Sequence, residues 1–397
     1  MVKIASRFNE FSYAIRDMAA EAAKIKASGM KLYPLNIGDP VIGEFQTPDY
    51  VKQALSDAVF AGKNYYEESL GVLELREEIL KREQRRNGID LPVDNILVTQ
   101  GVSEAIFFAM AALCEQGLEI LLPGPVYSPY QSYANFFEGK AVEYKLDEED
   151  DWNPDVDDIR KKISDKTNAI LISSPNNPTG GLTRDSTLRE IINIAGEFDL
   201  PVISDEIYDE LIFEGDYTCP ASIANDVPII GMNGFSKAHL ATGWRLGYVY
   251  FYDPLEKITD VRLAMEKLAR VRLCANTPVQ WAAIKLLQDP GVHTQDMVNR
   301  LRVRRDYTYK RLTGIDSFTC VLPRGAFYAF PKIDLRSRWL DDKEFCMDLL
   351  RETGIVTVFG SGFGDLGRDH FRVVFLPPMP MLQEVYDLLE DFMANHP

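Results

Sequence analysis

The sequence predicts an α/β fold, a mostly parallel seven-stranded sheet between helices with a smaller α+β domain beside it. Two observations predict it: short β-branched runs alternate with longer helical patterns from about residue 95 to 251, and several of those runs are apolar throughout. A strand with one wet face alternates apolar and polar side chains. A continuous apolar run marks a strand covered on both faces, as in a parallel sheet sandwiched by helices.

The runs are Asn95 to Thr99, Glu119 to Leu122, Ala141 to Tyr144, Ala169 to Ser173, Pro201 to Ser204, Ile229 to Asn233 and Leu246 to Phe251. Ligands of such sheets bind outside the carboxyl ends of the strands, so the residues after each run carry the chemistry. Beyond Asp253-Pro254 a helix-rich stretch, Val261 to Leu287, is broken by Gln288-Asp289-Pro290-Gly291. The remainder alternates a helix (Thr294 to Leu312), a strand-like Gly325 to Phe330, a helix (Asp342 to Glu352), a strand (Phe371 to Phe375) and a last helix (Met381 to Met393). The expected division is a large domain over 48–289 and a small one built from 1–47 and 290–397.

At 397 residues, 46% hydrophobic and 26% charged, the chain holds enough apolar material for one large domain or two moderate ones. A formal net charge of −17 argues against nucleic-acid or anionic-membrane partners, since both select basic surfaces. No run approaches the roughly 18 apolar residues of a spanning helix. The start, Met1-Val2-Lys3-Ile4-Ala5-Ser6-Arg7, has no leader-like apolar core, and the expected location is cytoplasmic. Five widely spaced cysteines without a CxxC pair, and four scattered histidines, predict neither a disulfide frame nor a metal site.

The strand ends are more specific. Lys237 closes Asn233-Gly234-Phe235-Ser236-Lys237, after an apolar run, where an amine is desolvated, kept neutral and used as a nucleophile. Eight residues on, Arg245 in Gly243-Trp244-Arg245-Leu246-Gly247-Tyr248 offers a fixed cation to a bound anion. A neutral amine able to form a Schiff base beside an anion site is what pyridoxal 5'-phosphate (PLP) chemistry requires. Gly101-Val102-Ser103-Glu104 opens a helix, Ala105 to Cys114, and presents N–H groups and a hydroxyl suited to a phosphate. A capped helix after a glycine turn accounts for the same residues.

Tyr127, in the Pro123 to Tyr130 loop, is suited to stack on a flat ring or to pack in the core. Asn177, held by Pro178 in the Ser174 to Gly180 turn, has an amide that suits a phenolate oxygen. Asp205 in Ser204-Asp205-Glu206-Ile207-Tyr208 puts a carboxylate at the end of a buried strand, which demands a cationic partner. A protonated pyridine nitrogen meets that demand, and capping a following helix is the other reading.

Asn177, Asp205, Tyr208, Lys237 and Arg245, in this order, resemble the fold-type I PLP enzymes, in particular the class I/II aminotransferases. The resemblance runs essentially full length, through Ile37-Gly38-Asp39-Pro40, Tyr66, Gly71, Leu75-Arg76, Gly362-Phe363-Gly364 and Arg372. It implies that Lys237 anchors PLP and shuttles the substrate Cα proton, that Asp205 pairs with the pyridine nitrogen, and that Asn177 and Tyr208 hydrogen-bond the ring oxygen. It further implies Tyr127 stacked on the ring, and Val102, Ser103, Ser236 and Arg245 on the phosphate. Arg372 would grip the substrate α-carboxylate as a bidentate fork, and Gly38 would close over the substrate, with Asn177 beside it.

Tyr66 would reach in from a second subunit, which implies a homodimer with shared active sites, the Arg272 to Pro278 segment crossing the same interface. One residue departs from the pattern. Gly234 stands where many relatives carry a phosphate-binding serine, which shifts weight onto Ser103, Ser236 and Arg245. Asn233 to Lys237, Ala241 to Arg245, Leu35 to Pro40 and Tyr13 to Asp17 are most similar to archaeal alanine aminotransferases. That similarity implies L-alanine plus 2-oxoglutarate giving pyruvate plus L-glutamate. Aspartate, aromatic or broad-range aminotransferases and C–S lyases of the same fold would show the same constellation.

Overall fold

Helix α1 (Ala14–Ala27) leads into a two-residue strand, β1 (Tyr33–Pro34), which pairs in parallel with Ile355–Val356 near the other end of the chain. The computed structural model describes residues 2–8, 14–42, 44–289, 291–335 and 338–396. Tyr13, Pro290 and the Asp17 side chain, from stretches named above, lie outside them. Helices α2 (Asp49–Phe60) and α3 (Leu73–Asn87) follow.

All seven predicted runs are strands: β2 (Ile96–Thr99), β3 (Glu119–Gly124), β4 (Lys140–Asp147), then, after an edge strand β5 (Asn153–Pro154), β6 (Thr167–Ser173), β7 (Val202–Asp205), β8 (Ile229–Gly234) and β9 (Gly247–Tyr252). Among the described residues they form one sheet in the order β2-β9-β8-β7-β6-β3-β4-β5. It has eight strands, not the seven expected. β5 is two residues long and joins β4 antiparallel, too short to leave any periodicity in the sequence. The pairs from β8 through β7, β6 and β3 to β4 are parallel, and β9 runs against both of its neighbours.

The continuous apolar runs are explained by two cores, one on each face. Leu97, Ile120, Leu122, Ala169, Leu171, Ile203, Ile230 and Val249 belong to one, with Ala105 and Ala109 of α4 (Val102–Leu113). Their chain neighbours Ile96, Val98, Leu121, Ile170, Ile172, Val202 and Ile229 belong to the other, with Leu75 and Ile79 of α3. Helices α5 (Pro129–Phe136), α6 (Val156–Lys162) and α7 (Asp185–Glu197) alternate with the strands, and α7 adds Leu188, Ile191 and Ile192 to the second core. Residues of β2, β3, β6, β7, β8 and β9 are therefore almost all dry whichever way they point, while β4, next to the edge, keeps Lys140 and Lys145 exposed.

The helix-rich stretch expected over Val261 to Leu287 is two helices, α8 (Thr259–Arg272) and α9 (Thr277–Leu287). Leu273 turns the chain with φ +79°, and the Asn276 side chain caps α9 by accepting from Val279 N. Then come α10 (Val292–Leu312), β10 (Phe318–Thr319), β11 (Tyr328–Ala329), β12 (Lys332–Ile333), α11 (Asp342–Thr353), β13 (Ile355–Val356), β14 (Val358–Phe359), β15 (Phe371–Val374) and α12 (Met379–Ala394). The strand expected over Gly325 to Phe330 shrinks to β11 because Ala326 takes a left-handed φ of +57°. β15 sits between β11 and β14, antiparallel to both, and carries Arg372. No helix among the described residues is long and apolar enough to cross a membrane.

Candidate active site

The carboxyl ends of β2, β3, β6, β7 and β8 open onto one cavity of about 560 Å³. Arg245 precedes its strand instead of following it, yet meets the same edge. β9 is reversed, so its first residue, Gly247, lies opposite both Thr99 and Gly234 at the ends of β2 and β8. Val102, Ser103, Tyr127, Asn177, Asp205, Tyr208, Ser236, Lys237 and Arg245 line the cavity from the sheet side, and Gly38 and Arg372 from the other. Tyr66 does not line it; the ring is on the surface, 79% exposed.

α4 begins at Val102, three residues before the expected start at Ala105, so Val102 and Ser103 stand in its first turn. There Arg245 Nη2 donates to Ser103 Oγ at 3.4 Å and Nη1 to Ser236 Oγ at 3.4 Å. Arg245 pairs with no carboxylate among the described residues, and its guanidinium converges with two hydroxyls and a helix N-terminus on one part of the cavity wall, a set suited to an anion.

Asp205 is the opposite case. It is buried, at 6% exposure, and no cation forms an ion pair with it among the described residues. Its Oδ2 accepts from Tyr130 OH at 2.8 Å and its Oδ1 from Ile207 N at 3.2 Å. Burial raises its pKa, against these two hydrogen bonds and the Lys237 charge. No helix follows Asp205, only a turn, which removes the helix-capping reading.

Lys237 is half-buried, and its Nζ donates to Gly38 O at 2.6 Å. Burial brings its pKa down to about 8, aided by Arg372 and Arg245 and opposed by Asp39 and Asp205. An amine with that value is partly neutral near physiological pH. Tyr208 OH shares a 2.6 Å hydrogen bond with Tyr328 OH. Arg372, 1% exposed, donates from Nη1 to Asn177 Oδ1 at 2.8 Å and from Nη2 to Asn36 O at 2.5 Å, while its Nε has no partner. A buried guanidinium held by neutral acceptors alone is prepared for a carboxylate.

The cavity also contains residues for which the sequence reading assigned no role. Asp39 and Arg16 on its wall, and Tyr130 behind it on Asp205, stand inside stretches quoted above and went unread, because an aspartate, an arginine and a tyrosine in such stretches carry no distinctive spacing. Tyr328 comes from β11, whose position is set by tertiary packing.

The sequence model of the family described as "Aminotransferase class I and II" matches residues 31–388. The chain belongs to this family. This aminotransferase is thus a PLP-dependent enzyme whose substrates are amino acids and 2-oxo acids. It is 35% identical to the glutamate-pyruvate aminotransferase AlaA of Escherichia coli over 407 aligned residues, covering 100% of this chain and 98% of that protein. Its structure matches that of an alanine aminotransferase from Pyrococcus furiosus with a TM-score of 0.97 and 50% identity, covering 99% of this chain and 100% of that one. It is also 33% identical to the aromatic-amino-acid aminotransferase 2 of Thermococcus litoralis, over 91% of each chain.

The residues of this aminotransferase fit PLP. The buried, cation-free carboxylate of Asp205 suits a protonated pyridine nitrogen, and the Arg245, Ser103 and Ser236 cluster suits a phosphate. Gly234 has a packing reason. A Cβ there would lie 3.1 Å from Gly247 Cα and 3.1 Å from Leu246 O, so a serine crowds the β9 backbone.

Proposed function

We propose that this cavity transfers the amino group of L-alanine to 2-oxoglutarate, giving pyruvate and L-glutamate. The observation that carries the transamination chemistry is the half-buried Lys237 amine opposite a buried Asp205 with no cation of its own. When bound, PLP supplies an electron-accepting ring that makes the substrate Cα–H acidic. In this reading Lys237 holds the cofactor through its amine and moves the proton at Cα, while Asp205 keeps the ring nitrogen protonated. Asn177 and Tyr208 hydrogen-bond the ring oxygen, Tyr127 stacks on the ring, and Val102, Ser103, Ser236 and Arg245 bind the phosphate.

Arg372 takes the substrate α-carboxylate, with Asn177 beside it and Gly38 closing over the substrate. The distal carboxylate of 2-oxoglutarate needs a further cation. Arg16, exposed at the cavity wall on α1 and without an ion pair among the described residues, is the one we assign. Alanine as donor is supported by the similarity to the Pyrococcus furiosus and Escherichia coli proteins. An aromatic donor is the second reading, favoured by the Thermococcus litoralis relative.

The same reading makes the enzyme a cytoplasmic homodimer with Tyr66 completing the partner's phosphate site, and divides the chain into 48–289 and 1–47 with 290–397. Exposed Phe60, Tyr65, Tyr66 and Val271 supply apolar surface for a subunit contact. A donor panel tests the reaction: alanine, aspartate, phenylalanine and cystathionine are each added to the holoenzyme, and the cofactor's visible absorbance is followed. Alanine should bleach it fastest, and Arg16→Ala should raise KM for 2-oxoglutarate while leaving that for alanine unchanged. Pyruvate from cystathionine with no response to alanine would reject transamination of alanine.

A further inference from the structure

The segment from Asn36 to Pro40 crosses the cavity and touches the groups assigned above to cofactor and substrate. Asn36 O accepts from Arg372, and Gly38 O accepts from Lys237 Nζ. Gly38 packs so closely on Tyr328 that a Cβ would lie 2.2 Å from its hydroxyl. A glycine and two carbonyls do not by themselves fix a chain segment. Asp39 supplies the anchor. Its Oδ1 accepts from Thr242 Oγ1 at 2.9 Å, on the loop that carries Lys237, and from Val41 N at 3.0 Å. A second tie to the Lys237 loop comes seven residues beyond the segment, where Thr47 Oγ1 donates to Leu240 O.

We propose that Asp39 is a positioning residue: latched to Thr242, it fixes the Asn36 to Pro40 segment over the Lys237 loop, so that the Gly38 carbonyl orients the lysine nitrogen. The charges facing that nitrogen are Asp39 from this segment, Arg372 from β15, Arg245 ahead of β9 and Asp205 from β7, with the Tyr208 ring centre at 5.8 Å. Among them Asp39 exerts the stronger pull toward the protonated form, ahead of Asp205. The inference rests on Lys237 being the amine that carries the cofactor.

The test uses the full-length holoenzyme. Asp39→Asn removes the charge and keeps an acceptor for Thr242; Thr242→Val keeps the charge and removes the latch. The pH midpoint of the bound cofactor's visible absorbance reports the proton on the Lys237 nitrogen. Asp39→Asn should lower it by about half a unit or more. Thr242→Val should raise KM for the amino donor several-fold with a smaller change in kcat, because a freed segment must be ordered on binding. Thr242→Ser, which keeps the hydroxyl, should restore KM.

Should Asp39→Asn fail to fold, Asp39→Glu takes its place, with the charge kept and the reach altered; a raised KM then supports the latch. A lower melting temperature with midpoint and KM both unmoved would make Asp39 merely structural and overturn the proposal. Failure of the wild-type protein to take a borohydride-fixed label at Lys237 would instead bring down the functional reading on which it rests.

Discussion

Arg372 and Glu206 are both fully buried ionisable residues, and their surroundings treat them oppositely. Arg372 is held by two neutral oxygens in a planar fork, a geometry that a lysine ammonium does not reproduce. Arg372→Lys should lower kcat/KM for the amino donor by roughly 10- to 100-fold, about 1.5–3 kcal/mol, measured with saturating acceptor. Glu206 points away from the cavity. Its Oε1 accepts from Tyr250 OH at 2.6 Å, and its Oε2 has no partner. Burial, with Glu83 and Asp209 nearby, raises its pKa from 4.5 to about 8. The folded protein therefore keeps a proton that the unfolded chain releases. Stability from this group is complete below 4.5 and is lost as pH rises through about 8. Melting temperatures of wild type and Glu206→Gln across that interval should diverge, the wild type falling more steeply.

At the scale of elements, strand ends and helix starts decide where side chains meet. The end of β8 is packed so closely on the start of β9 that a side chain at Gly234 would have to push the backbone of Leu246 and Gly247 aside by a few tenths of an ångström. Gly234→Ser would add a hydroxyl beside the cavity, yet it should destabilise the fold by about 1 kcal/mol, seen as a lower melting temperature, by pressing on the β9 backbone. A gain in both melting temperature and cofactor affinity would contradict this. Most of the seven main strands were legible because dry strands must be apolar throughout, and that constraint is local; β4, partly exposed, showed only as a short run rich in β-formers. β5 was not legible, since a two-residue strand exists only through its partner, and β11 was legible only as a longer strand than it is. The break between α8 and α9 was hidden too, because Leu273 carries no mark of a turn.

For the whole molecule, the open question is assembly. Tyr66 stands on the surface of its own chain, so its assigned place at a phosphate requires a second chain. Sedimentation should give a dimer. Mixing Lys237→Ala with Tyr66→Ala chains should restore activity to about a quarter of the wild-type value, because half the dimers are hybrids with one intact site. A monomer in sedimentation, or a mixture no more active than its parents, would remove Tyr66 from the site.

The sequence by itself determined the layered α/β architecture and the order in which Asn177, Asp205, Tyr208, Lys237 and Arg245 follow one another along the chain. Both are written locally, in apolar continuity and in short polar stretches at strand ends. Only the tertiary structure decided that β9 runs backwards and so delivers Arg245 to the same edge, that Asp205 is buried without a cation, and that Asp39 ties the N-terminal segment to the Lys237 loop. These are relations between residues far apart in the chain. Strand direction, burial and hydrogen-bond partners are set by which surfaces meet, and no single stretch of sequence carries that information.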